Sequence, residues 1–259
     1  MQQNSTVLQI RDITKRFGGI TAANSINISV PQGSIYGIIG PNGAGKTTLF
    51  NIITGVYDAT SGEVSFHGEK INGLPIHAIA GKGIARTFQN IRLFGDLSVY
   101  DNLLTACQKN ITYGFWHGVL NTKTCRKQEK EAHDFCEEIL EATGLSSQRG
   151  QLANNLSYGM QRRLEIARAL ATKPSLLLLD EPAAGMNEEE SEQLSDLILS
   201  IRKEQEITIV IIDHHMDVIM SICDSMSVLN FGTLLAEGSP EEIQGNPEVI
   251  EAYLGVDES

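Results

Sequence analysis

The segment Gly40-Pro-Asn-Gly-Ala-Gly-Lys46-Thr47 limits what this chain can fold into more tightly than any other. An apolar run over 34–39 precedes it, and a helical run over 46–54, which Gly55 can end, follows it. A strand that feeds a helix through a glycine-rich loop turns several backbone N–H groups toward one point and adds the positive end of the helix, so the unit binds an anion. The spacing Gly-x4-Gly-Lys-Ser/Thr is that of a phosphate-binding loop, in which Lys46 bridges the β and γ phosphates and Thr47 offers its hydroxyl to Mg2+. Gly40, Asn42, Gly43, Gly45, Lys46, Thr47 and Thr48 are the candidate nucleotide contacts, Thr47 being also a candidate metal ligand. The alternative, a glycine-rich turn with no ligand, leaves the lysine and the hydroxyl at these positions unexplained.

Such a unit needs a sheet to sit in. After Pro174 short apolar runs (176–179, 207–212, 226–229) alternate with helical ones (188–203, 216–223). This alternation predicts an α/β fold with a mostly parallel sheet covered on both faces. Residues 7–30 alternate apolar and polar in short runs broken by Phe17-Gly-Gly19, which predicts a small antiparallel sheet, and 62–66 reads as another strand. The texture between about 96 and 172 is helical, opened by Ser98 with Asp101 three positions later, the spacing of a capping box. The expected organisation is one domain over 1–259, with a core and antiparallel sheet from about 1–95 and 173–259 and a helical subdomain inserted at about 96–172. Segment 111–120 holds the single tryptophan, Trp116, beside Tyr113 and Phe115. It suits either a membrane or partner contact or a loop folded onto the helical insertion.

Composition bounds the partners. Acidic residues outnumber basic ones 32 to 20, a net charge of −12, which argues against a nucleic-acid backbone as the main partner. No stretch reaches the ~18 apolar residues that span a bilayer, and the N-terminus lacks the apolar run of a signal peptide, so the chain is expected in the cytosol. Cys107, Cys125, Cys136 and Cys223 form no Cys-x-x-Cys pair. His133 stands three positions before Cys136, but no second pair completes a zinc site, and reduced, mostly buried thiols are expected.

Asp180 closes the apolar run 176–179, and an acid at the C-terminal end of a buried strand lies where α/β sheets bind ligands. It suits a metal partner. Glu181, next in the chain, suits the general base that polarises a water against the γ-phosphate. A kinase, a helicase or a GTPase would share these parts. The segment Leu156-Ser-Tyr-Gly-Met160 adds another, because it runs directly into a helical stretch over 161–170 and lets Ser157 cap a second anion-binding helix start.

On these residues the sequence resembles the ABC ATPase family, whose signature loop Leu-Ser-Gly-Gly-Gln stands at 156–160. Tyr158 replaces the first glycine and Met160 the glutamine, while Ser157 and Gly159, the γ-phosphate contacts, remain. Phe17, in Lys15-Arg-Phe-Gly-Gly19, resembles the aromatic that stacks on adenine, with an ordinary core phenylalanine as the alternative. Gln89, in Thr87-Phe-Gln-Asn90, resembles the glutamine that reaches Mg2+ and the attacking water. Pro182-Ala-Ala-Gly-Met-Asn187 is similar to the loop after the acids, with Asn187 where many members have aspartate. Asp213-His-His215 resembles the switch-histidine region, with His214 in register and His215 the outlier.

Over roughly residues 6–254 the pattern is most like that of the ATP-binding subunits of bacterial branched-chain amino-acid importers, including the ending Gly232-Thr-Leu-Leu-Ala-Glu-Gly-Ser-Pro-Glu-Glu242. The resemblance implies a P-loop NTPase cassette that takes ATP and Mg2+, with Glu181, His214 and Gln89 catalytic and Thr47, Gln89 and Asp180 around the metal. It implies a second cassette, in a homo- or heterodimer whose head-to-tail arrangement presents Ser157 and Gly159 to the partner's ATP. It further implies integral membrane permease subunits, an extracytoplasmic solute-binding protein acting through them, no nucleic acid, and a peripheral position on the cytoplasmic face of the inner or plasma membrane. The segment 86–94 is the expected docking groove, because Gln89 would sense nucleotide while Leu93 and Phe94 offer apolar surface to a short membrane-subunit helix; burial of those two in the cassette's own core is the equal alternative. The alternatives are the ATPase of another ABC transporter and a soluble ABC ATPase of an assembly complex, as in iron-sulfur cluster biogenesis.

Overall fold

The computed structural model describes residues 5–110, 122–213 and 216–254. The tryptophan-bearing segment 111–120 and the two histidines at 214 and 215 lie outside the described residues. β1 (Thr6–Phe17) and β2 (Ile20–Pro31) form an antiparallel hairpin with Phe17 opposite Ile20 and Ile10 opposite Ile28. Register shifts between Ile10 and Ile13 and again between Ile13 and Lys15 re-phase the alternation of apolar residues, so two long strands look like several short runs in sequence.

β3 (Ile35–Ile39) is buried at every position and feeds α1 (Lys46–Ile53). β4 (Ser61–Phe66) and β5 (Glu69–Lys70) complete a four-stranded antiparallel sheet in the order β2-β1-β4-β5. After α2 (Ile76–Gly81), the three-residue β6 (Ile84–Arg86) returns to the main sheet. The helical insertion carries α3 (Val99–Cys107), α4 (Lys123–Ala142) and α5 (Tyr158–Leu170). Ser98 caps α3 by accepting from the Asp101 amide. β7 (Leu176–Asp180), α6 (Glu188–Gln205), β8 (Thr208–Ile212), α7 (Met216–Ile222), β9 (Ser225–Asn230) and β10 (Thr233–Gly238) follow, and α8 (Pro240–Gln244) and α9 (Pro247–Leu254) close the described chain.

The main sheet runs β10-β9-β3-β8-β7-β6, parallel throughout except for β10. Alternate residues of its central strands enter different cores, as a side-chain period of two requires. Leu176, Leu178, Val210 and Ile212 join the cluster between the two sheets and α1. Leu177, Leu179, Ile209 and Ile211 join the cluster under the helices. Both faces being covered, these strands are apolar without alternation. Each such buried leucine truncated to alanine would cost about 2–5 kcal/mol. The four cysteines are free and buried; Cys136 lies 3.0 Å from Cys107, and His133 hydrogen-bonds Tyr100.

Candidate nucleotide site

The C-terminal ends of β3, β7 and β8 lie side by side, and the loops leaving them carry the chemistry. The loop after β3 is wedged between two backbones. A Cβ at Gly40 would strike the carbonyl oxygen of Leu229, and one at Gly45 that of Ala22; both residues also have positive φ, +146° and +101°. Only glycine fits there. Lys46 opens α1 and is buried, with Nζ donating to the carbonyls of Gly40 (2.5 Å) and Pro41 (2.9 Å). Burial draws its ammonium below the usual lysine range, while Glu181, Asp180 and Asp213 push it back up. Asn42, Gly43 and Thr47 are exposed and Thr48 is half-buried. No acidic side chain occupies the first turn of α1, so the positive end of its dipole is not offset locally.

Asp180 ends β7, buried, and pairs with Arg86 at 2.7 Å. Arg86 comes from β6 and also donates to Asn51 Oδ1 at 2.8 Å and Thr54 Oγ1 at 3.2 Å, which ties β7 to α1. Glu181 has φ +48°, a left-handed conformation that costs a non-glycine residue about 1–3 kcal/mol. Its amide donates to the Ile212 carbonyl (2.7 Å), and its carboxylate accepts from Gln89 Nε2 (2.7 Å). The two adjacent acids thus hold different partners. Asp213, fully buried at the end of β8, accepts from the Ala183 amide (3.1 Å) and anchors the loop that follows Glu181. Thr47, Gln89 and Asp180 line one cavity of about 980 Å³ that extends past Phe88 to Ile76, Phe94 and Lys109.

Ser157 caps α5 by accepting from the Met160 amide (3.4 Å) and is exposed, with Gly159 half-buried beside it. Among the described residues no hydrogen bond joins this loop to residues 40–48, so one chain brings together Lys46, Gln89, Asp180 and Glu181 but leaves Ser157 and Gly159 apart. Asn187 forms a full capping box with Glu190 at the start of α6. Phe17 is 42% exposed at the hairpin end, edge-on to Tyr57 with centroids 5.2 Å apart, and so is no core residue.

The sequence profile of the ABC transporter family matches residues 23–184. The chain belongs to the ABC transporter ATP-binding family. A second profile, described as branched-chain amino acid ATP-binding cassette transporter, matches residues 233–259. The cassette is 46% identical over 249 residues to the high-affinity branched-chain amino acid transport ATP-binding protein BraF of Pseudomonas aeruginosa, covering 96% of this chain and 98% of that one. It is 45% identical, with the same coverage, to LivG of Escherichia coli, and 32% identical to the lipopolysaccharide export system ATP-binding protein LptB of the same organism. Among solved structures, MJ1267, an ATP-binding cassette of an ABC transporter in its ADP conformation, superposes with a TM-score of 0.84 at 32% identity, covering 97% of this chain and 99% of that one. The dimeric post-hydrolysis state of the cassette MJ0796 bound to ADP and Pi superposes with a TM-score of 0.74 at 25% identity, covering 90% and 98%.

Four residues of the cassette's site carry little signal in its sequence. Arg86 and Asp213 sit at the ends of apolar runs, where a charge reads as the edge of a strand. Arg162 and Glu165, one turn apart on α5, read as a solvated surface pair, yet both are buried and joined at 3.1 Å. The one available hint is the apolar residues Leu164, Ile166 and Ala167 around them, which leave α5 with little surface to offer.

Proposed function

We propose that this cassette powers uptake of branched-chain or related amino acids as the ATP-hydrolysing subunit of a membrane transporter, closing on a second cassette with ATP held between the two. The observation that carries the reading is the Gln89–Glu181 pair, set beside a buried Lys46 in a chain related over nearly its whole length to BraF and LivG. ATP lies with its phosphates over the amides of Gly43, Gly45 and Lys46, and Phe17 stacks on the base. Binding draws Lys46 Nζ from the Gly40 and Pro41 carbonyls onto the β and γ oxygens.

Gln89 and Glu181 then hold a water in line with the γ-phosphorus. The water oxygen forms a bond to phosphorus as the bond to the β,γ-bridging oxygen breaks, a proton passes to Glu181, and ADP and phosphate result. His214, next in sequence to Asp213, is the proposed γ-phosphate contact. The donors Thr47, Gln89 and Asp180 are all oxygen-bearing and share one cavity, which suits Mg2+, an ion that takes one or two protein oxygens together with substrate phosphates. An ion held by these residues would supply positive charge to offset that developing on the phosphates. Ser157 and Gly159 of the second cassette complete the cage around the γ-phosphate, so a lone chain is a poor catalyst.

No helix of the described residues is long and apolar enough to cross a membrane. Passage of the solute therefore falls to permease subunits, loaded by a solute-binding protein on the far side. The segment 86–94 receives a short permease helix. Its Leu93 is half-buried, and its Phe94 is 47% exposed under the Arg168 guanidinium. Purification with its natural membrane subunits, followed by ATPase assays with candidate solutes, tests the reading. Stimulation by leucine, isoleucine or valine is expected. A chain that washes off membranes and responds to no solute would instead be a soluble assembly ATPase.

A further inference from the structure

Tyr158 stands in the signature loop where the family pattern has glycine, and its hydroxyl is engaged. It accepts from Arg162 Nη2 at 2.9 Å, and the ring lies along Gly185, where a Cβ would sit 3.5 Å from Tyr158 Cε1. Arg162 is among the largest fully buried side chains in the protein. The same Nη2 donates to the Gln89 carbonyl, while Nη1 donates to the Phe88 carbonyl (2.7 Å) and to Glu165 Oε2 (3.1 Å). Glu165 Oε1 accepts the Phe88 amide at 3.3 Å. Helix α5 therefore grips the main chain on both sides of the Phe88–Gln89 peptide, and Gln89 in turn reaches Glu181.

A guanidinium is a rigid planar fork, so its position is set by whatever ties down each end. Three ends of this fork point at the 88–89 backbone and at Glu165; Tyr158 holds the fourth from the outside. We propose that Tyr158 is a positioning residue that, through Arg162, fixes the main chain at Gln89 and so sets the Gln89–Glu181 pair. The proposal rests on the two-cassette reading above, because there the Ser157 loop serves the partner's ATP whereas Glu181 serves its own. Seating of the signature loop at one site then sets the water-holding pair of the other, and the two sites turn over cooperatively.

The test is Tyr158→Phe in the full chain, which keeps the ring against Gly185 and removes only the hydroxyl. Loss of one neutral-to-charged hydrogen bond at a half-exposed position predicts a fall in kcat of about 3- to 10-fold, with KM for ATP, melting temperature and ATP-driven dimerisation by light scattering unchanged and the Hill coefficient reduced toward 1. Arg162→Lys, which keeps the charge and loses the fork, should show the same split between kcat and KM. In a Gln89→Ala background Tyr158→Phe should change kcat little, since residues acting through one another are not additive. Equal losses in both backgrounds, or wild-type kcat and cooperativity in Tyr158→Phe, would overturn the relay. A wild-type chain that neither dimerises with ATP nor shows cooperativity would overturn the two-cassette reading and the relay together. Cooperative wild-type turnover left untouched by Tyr158→Phe would overturn the relay alone.

Discussion

The loop over 40–48 and the segment around Gln89 both border the candidate nucleotide site, yet they are built in opposite ways. The loop is local: glycine geometry shapes it, Lys46 hydrogen-bonds within it, and the foreign atoms that hem it in are backbone carbonyls of Ala22 and Leu229. Gln89 is held by side chains from a helix 73 residues further on, through a buried arginine and a buried glutamate. A site made from local backbone is rigid and tolerates almost no substitution. A site held by a neighbouring subdomain moves when that subdomain moves, which is what a cassette needs if closure is to license hydrolysis.

The two constructions should fail in different ways. Lys46→Ala removes the cation proposed to meet the β and γ phosphates and should abolish productive ATP binding by calorimetry while leaving unfolding in urea nearly unchanged. Arg162→Leu should do the reverse: it strands Glu165 without its buried partner and should cost about 3–5 kcal/mol of stability in urea, with ATP still bound by the folded fraction. Were Lys46→Ala the less stable of the two, the division into a local and a long-range end would be wrong. Glu181→Gln should keep ATP binding and slow single-turnover hydrolysis by at least ~10²-fold, as expected for a lost general base. The smallest effect belongs to Asn187→Ala, which removes the capping box of α6 and should lower stability by about 1 kcal/mol without changing KM.

What sequence alone reveals divides along the same line. β3, β7 and β8 are legible because strands buried on both faces read as unbroken apolar runs, and the 40–48 loop is legible because its geometry admits only glycine at Gly40 and Gly45. β6 is missed because three residues ending in Arg86 make no pattern, although that arginine holds Asp180 in place. The bulges of β1 hide its length, and β10 is missed because its residues are only half-buried at a sheet edge. The Arg162–Glu165 pair looks like solvated charge until the main chain of 88–89 is brought over it. Long-range grips leave no periodic trace, so they emerge only from the folded chain.

In the two-cassette arrangement proposed above, ATP sits between the 40–48 loop of one cassette and the Ser157 loop of another. Asn42 and Ser157 are both exposed, and the four native cysteines are buried, so a chain carrying Asn42→Cys, Ser157→Cys and Glu181→Gln can be probed with a short thiol cross-linker. With ATP present, that arrangement gives a covalent dimer whose cross-link joins position 42 of one chain to position 157 of the other, and none without nucleotide. ATP binding at normal affinity by a chain that stays monomeric, with no 42–157 cross-link, would contradict it.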